Sequence, residues 1–208
     1  MFRQAGLLFL AIPAGYLLGS VAVGLIVAKI TGVDIRKKGS GNIGATNVFR
    51  TVGKLQGLSV FIGDALKGYL GAWIGESLAG DWGMIAAGFA AVLGHNYSIF
   101  LKGEGGKGIS TTCGVILKAM PLALPFLIPF WAAIIFVTGY VSLGSICAAL
   151  ALPAAGYFLY HDAKLTVMGT ALAAMAIWRH KGNIRRLLRG EENCFRKKHI
   201  GGNDKQDA

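Results

Sequence analysis

The sequence predicts an all-α, polytopic membrane bundle of seven transmembrane helices, with the N-terminus outside and the C-terminus cytosolic. Three observations carry this. The 208 residues are 54% hydrophobic and only 15% charged, too apolar for a soluble domain. The apolar residues fall in long runs separated by short polar stretches. The basic residues sort to one side of those runs. With seven helices, only Arg3, Lys118, Lys164 and the intrahelical Lys67 of the 21 Lys and Arg miss the cytosolic side. Six helices would place the basic tail opposite the first two basic loops. The net charge of +11 therefore reports cytosolic loops, and no nucleic-acid partner is expected.

Leu7 to Ala28 contains no charge until its flanks and is helix one. A cytosolic loop follows over 30–53. Helix two covers about 56–75 and carries Asp64 and Lys67. Charges inside a membrane are costly, but these two are spaced i, i+3 and read as a mutual pair. Glu76 and Asp81 mark a turn, and helix three covers about 82–101. A short loop, Lys102 to Gly108, leads to a segment ending at Thr138 that is too short for two full spans. We expect two short helices meeting near Lys118-Ala119-Met120-Pro121. The last two helices are 142–160 and 164–180, separated by His161-Asp162. The chain divides into a transmembrane domain over 1–192 and a polar tail over 193–208, expected to be disordered.

Three polar segments fall on the cytosolic side: 39–50, 102–112 and 179–192. The first, Gly39-Ser40-Gly41-Asn42-Ile43-Gly44-Ala45-Thr46-Asn47-Val48-Phe49-Arg50, mixes glycines, neutral hydrogen-bonding groups and one guanidinium. The second, Gly105-Gly106-Lys107-Gly108 before Ile109-Ser110-Thr111-Thr112, is not a Walker loop. It shares that loop's ingredients: glycine backbone, a lysine and hydroxyls at a helix start. In the third, His180 and Asn183 share a helical face, while Arg185, Arg186 and Arg189 read as lipid-headgroup contacts. Together they suit a pocket for phosphates. His95 reads as a residue that positions the 102–108 loop, and Glu192 as one that orients the tail by pairing with a basic loop.

These segments, with Gly94-His95, Tyr140-Val141-Ser142-Leu143 and Ser145, and Arg179-His180 through Asn183-Ile184-Arg185-Arg186 to Gly190 and Glu192, resemble the PlsY family of bacterial acyltransferases. The resemblance spans about residues 15–192. It implies transfer of a fatty acyl group from acyl phosphate to the 1-hydroxyl of glycerol 3-phosphate, at the cytosolic face of the inner membrane. Lysophosphatidic acid and phosphate are the implied products. By the same resemblance, Ser40, Arg50, Lys107, His180 and Asn183 hold glycerol 3-phosphate. Asn42, Thr46, Gly105, Gly106 and Ser145 surround the acyl phosphate. Ser40, Lys107 and His180 are the candidates for a catalytic part. The proton acceptor stays open between His180 and a substrate phosphate oxygen.

A mixed anhydride is already activated, so no covalent nucleophile is expected; no cofactor is expected, and no metal, because the cytosolic face shows no carboxylate cluster. Cys113, Cys147 and Cys194 show no CxxC pattern. His199 and Asp204 have the His-x4-Asp spacing of thioester-dependent acyltransferases, but lie in the glycine-containing tail with no helix to fix them. A carrier for a small organic phosphate would use the same cations. It would also need a route through the bilayer and usually inverted repeats, and no internal repeat is visible.

Overall fold

The computed structural model describes residues 2–195, with side chains from residue 6 onward. The expected loose tail beyond 195, with His199 and Asp204, lies outside the described residues. Every regular element among the described residues is helical.

The first apolar run is not one helix. It divides into α1 (Phe2–Ser20) and α2 (Val23–Ile30), with non-helical backbone at Ala22. Broken helices in apolar surroundings need donors for the freed carbonyls. Here they come from residues distant in sequence. Ser98 Oγ donates to the Ser20 carbonyl at 2.6 Å, and Lys67 Nζ donates to the Val21 carbonyl at 2.8 Å. No local signal at 20–22 announces this break, because its partners, Lys67 on a later helix and Ser98 in a later turn, are distant along the chain.

The 30–53 segment, expected as loop, contains a short helix α3 (Ala45–Thr51). Next comes α4 (Lys54–Asn96), two helical arms joined by a fold at Ala79 and Gly80, whose backbone is non-helical; Gly80 takes φ of +63°. The two arms, 54–78 and 81–96, are the expected helices two and three. They close tightly because Gly75 and Gly83 face each other: a Cβ on either would strike the other's carbonyl. The same device docks α1. Gly15 and Gly19 rest on the carbonyls of Ala87 and Ala91, so backbones approach as small residues allow.

α5 (Ile109–Ala119) is short and ends at Met120. It packs on the first arm of α4 through Gly68 against Thr111 and Gly114 against Ala65. A 3-10 turn at Pro121–Ala123 then starts α6 (Leu124–Thr138), so the break falls where the lysine and proline placed it. α7 (Val141–Leu150) and α8 (Leu152–Tyr160) stand in place of the expected helix 142–160, with a seam at Ala151. α9 (Ala163–Arg179) begins on a true cap. Asp162 accepts from the Lys164 and Leu165 N–H groups, at 2.7 and 3.1 Å. The polar segment after α9 continues as helix α10 (Lys181–Arg189), which carries Asn183 as its shared face with His180 requires, and is closed by Gly190 in the left-handed conformation.

Among the described residues, four stretches are long and apolar enough to cross a membrane: Gly6–Ile30, the folded Lys54–Leu101, Pro121–Thr138 and Val141–Tyr160. Apart from the buried Asp64–Lys67 pair, charged pairs that join different segments sort to two ends of the bundle. Lys118–Glu76 (2.6 Å) and Lys164–Asp81 (2.8 Å) lie at one end; Arg36–Glu104 (3.7 Å) and Arg186–Glu192 (2.8 Å) lie at the other.

Candidate active site

The site end is built on the C-terminus of α4. The chain leaves Asn96, makes a 3-10 turn at Ile99–Leu101, and folds back beneath the helix it has just left. Gly106 N–H donates to the His95 carbonyl at 3.0 Å, and Gly105 N–H to the Asn96 carbonyl at 3.2 Å. These carbonyls would otherwise be orphans of the helix end. A Cβ at Gly105 would collide with the His95 carbonyl, and one at Gly106 with the His95 ring. Both glycines are therefore required by close approach. Their N–H groups are engaged with α4, so what they offer a ligand is space. His95 thus positions the loop by its carbonyl and its ring. The ring also lies 3.5 Å from Asp64, which pairs with Lys67 at 2.8 Å.

The loop is gripped from the other side by Arg179, at the end of α9. Its Nε and one terminal nitrogen donate to the Gly106 carbonyl at 3.0 and 2.7 Å. The same terminal nitrogen reaches the Gly105 carbonyl at 3.0 Å. The guanidinium stacks over Tyr97, 4.9 Å from the ring centroid. The sequence alone assigns Arg179 no site role. Its fork is matched to two adjacent carbonyls, which only the folded loop presents.

So framed, Lys107 points to Asn183, whose side-chain oxygen accepts at 2.5 Å. Asn183 in turn donates to Glu192 at 2.6 Å. Glu192 also accepts from Ser142 Oγ at 3.0 Å and from Arg186 Nε at 2.8 Å. Its side chain is only 5% exposed, so this is a buried hub and not a weak surface pair. Arg186, expected on lipid, instead pairs with Glu192, because the turn at Gly190 brings the carboxylate back over α10. Ser142, one turn before Ser145 on α7, joins the hub. Ser145 is buried, donates to the Val141 carbonyl at 2.9 Å and accepts from Trp131 at 3.3 Å.

Burial pushes the Lys107 ammonium down to about 8. Glu192 opposes this, while Arg186, Arg179 and Arg50 add to it. Lys107 therefore sits within the field of Arg50 from the first polar segment. His180 is buried, with Nδ1 2.7 Å from the Ala176 carbonyl. A carbonyl can only accept, so Nδ1 carries the proton and Nε2 of the neutral ring is an acceptor. Burial first, then the Lys107 charge, hold this imidazole down at about 4.

The first segment is organised by a residue without an expected site role, Asn47. Its amide donates to the carbonyls of Ile35, Lys38 and Asn42 at 3.1, 3.1 and 2.8 Å, and its oxygen accepts from Ser40 N–H at 2.9 Å. Asn42 accepts from Gly44 N–H at 3.1 Å and leads into α3. Ser40, Thr46 and Arg50 are exposed around this knot, Arg50 in the last turn of α3. Arg36 bridges the segment to the second loop, donating to the Glu104 carbonyl at 3.4 Å.

Fold and site define a class: an integral membrane helical bundle with a cationic, glycine-framed cluster gathered at one end. A sequence model described as glycerol-3-phosphate acyltransferase matches residues 9–190. The glycerol-3-phosphate acyltransferase of Carboxydothermus hydrogenoformans is 44% identical over 188 residues, covering 90% of this chain and 96% of that protein. That of Geobacter sulfurreducens is 44% identical over 183 residues, 87% of this chain and 94% of the relative. The crystal structure of PlsY, an integral membrane glycerol 3-phosphate acyltransferase, in its glycerol 3-phosphate form, is similar with a TM-score of 0.86 at 39% identity. The match covers 90% of this chain and 95% of that one. Its lysophosphatidic acid form gives 0.84 at 38% identity. The chain belongs to the glycerol-3-phosphate acyltransferase family, that of PlsY.

Proposed function

We propose that this protein transfers a fatty acyl group from acyl phosphate to the 1-hydroxyl of glycerol 3-phosphate, yielding lysophosphatidic acid and inorganic phosphate, the first step of bacterial phospholipid synthesis. The observation that carries the reading is the meeting of Lys107, Asn183, Arg179 and Glu192, from segments over 70 residues apart. Family membership supports the acceptor, and the named glycerol 3-phosphate and lysophosphatidic acid forms of the PlsY structure support the substrate and product classes.

Ser40, Arg50, Lys107, His180 and Asn183 hold glycerol 3-phosphate; Asn42, Thr46, Gly105, Gly106 and Ser145 surround the acyl phosphate. Arg50 supplies a bidentate grip on phosphate and Lys107 a point charge. The hydroxyl oxygen attacks the acyl carbon, the bond from that carbon to the bridging phosphate oxygen breaks, and the hydroxyl proton passes to a phosphate oxygen. The low value of His180 favours this route. An imidazole that protonates near 4 is a weak base, and its Nε2 serves better to orient the hydroxyl. Seven membrane crossings, an outside N-terminus and a cytosolic C-terminus in the inner membrane put the site where a soluble sugar phosphate and a lipid-borne donor meet. The odd number of crossings agrees with the sorting of charged pairs to two ends.

Purified protein in detergent or lipid, given acyl phosphate and glycerol 3-phosphate, should release phosphate and form lysophosphatidic acid in equal amounts. Acyl thioesters should not replace the donor. No product from acyl phosphate, or equal turnover with a thioester, would reject the reading.

A further inference from the structure

Beyond residue 190, where the family match ends, the chain makes a strap. It leaves α10 at Gly190, is pinned by Glu192 to Asn183, Ser142 and Arg186, and runs on to Phe195. Phe195 N–H donates to the Gly139 carbonyl at 2.8 Å, at the junction of α6 and α7. Its ring packs against Phe49 with centroids 6.3 Å apart and planes tilted by 50°. The Arg50 guanidinium carbon stands 5.3 Å from the centre of the same ring. Phe195 thus touches two consecutive residues of the last turns of α3 while its own backbone is fixed to a different part of the bundle.

This geometry matters because Arg50 is otherwise poorly held. It projects, exposed, from a helix of seven residues that stands on the Asn47 knot. A long side chain there has many rotamers, and ordering it costs free energy at each binding event. An aromatic face bearing a partial negative charge narrows those rotamers without neutralising the cation, so the fork remains available to an anion.

We propose that Phe195 is a positioning residue for glycerol 3-phosphate: it acts through Arg50, holding the guanidinium over the site and tying α3 to the α6–α7 junction. This rests on the assignment of Arg50 to that substrate. Residues 193–195, assigned by the sequence to the loose tail, become part of the binding apparatus.

Steady-state kinetics on the full chain test it. Phe195→Ala should raise KM for glycerol 3-phosphate about two- to fivefold, the range of an exposed cation–π contact, with kcat and KM for acyl phosphate unchanged. Phe195→Tyr and Phe195→Trp should restore the wild-type KM, and Phe195→Leu should not. On an Arg50→Ala background, Phe195→Ala should have no further effect, because its partner is gone. Additive effects in the double variant, rescue by Leu, or a fall in kcat at constant KM would each overturn the proposal while the acyltransferase reading stands. A wild-type protein inactive on both substrates would instead remove the reading beneath it.

Discussion

Lys107 shows how one residue's surroundings set its chemistry. Burial, with the charges of three arginines adding to it against Glu192, pushes its ammonium down to about 8 from its ordinary 10.5. The free enzyme therefore loses a phosphate-binding charge as pH rises through 8, and kcat/KM for glycerol 3-phosphate should fall about tenfold per unit above it. Stability moves the other way. Between 8 and 10.5 the unfolded chain holds a proton that the folded chain has released, so folding becomes more favourable as pH rises. Lys107→Arg, which does not titrate in this range, should flatten the alkaline limb of the pH profile while lowering the plateau. Arg179 acts differently, on backbone. Arg179→Lys keeps the charge but not the fork, and hydrogen bonds from charged donors are worth about 1.5–3 kcal/mol each. A loss of about tenfold or more in kcat/KM is expected, together with a lower thermal unfolding temperature, because the bonds lost are ones the folded loop makes to its own carbonyls. Unchanged kinetics would show that the two loop carbonyls do not need it.

At the scale of elements, the break between α1 and α2 and the arms of α4 depend on each other. Asp64, Lys67 and His95 lie together inside the bundle, and Lys67 also serves the open Val21 carbonyl. Asp64→Asn leaves a buried ammonium without its counter-charge and should cost about 3–5 kcal/mol. In the pair Asp64→Leu with Lys67→Met no charge is stranded, so much of that loss should be recovered. Recovery should remain incomplete by about 1–3 kcal/mol, because the Val21 carbonyl still lacks its donor. Thermal unfolding in detergent compares the three; full recovery would mean that the break needs no donor. The i, i+3 spacing made the ion pair readable in the sequence. The cap on a broken helix was not readable, since Val21 and Lys67 are 46 residues apart.

For the whole molecule, the prediction concerns sidedness. Cys194 is exposed beside the site, whereas Cys113 and Cys147 are partly buried in helices. A membrane-impermeant maleimide should label Cys194 in inverted inner-membrane vesicles and not in right-side-out ones; the reverse would invert the proposed topology. Much of the architecture was written locally. Apolar run lengths gave the helices, Glu76 and Asp81 the elbow of α4, and Lys118 with Pro121 the break after α5, because burial in lipid and chain stiffness act on neighbouring residues. The motif residues Lys107, His180, Asn183 and Glu192 were also legible as site candidates. Only the tertiary structure decided what each one touches: that Gly105 and Gly106 give their N–H groups to α4, that Arg186 pairs with Glu192, that Asn47 ties the first segment, and that Phe195 reaches Arg50. Hydrogen bonds and stacking act over a few ångströms between residues far apart along the chain, so their partners exist only once the helices have packed.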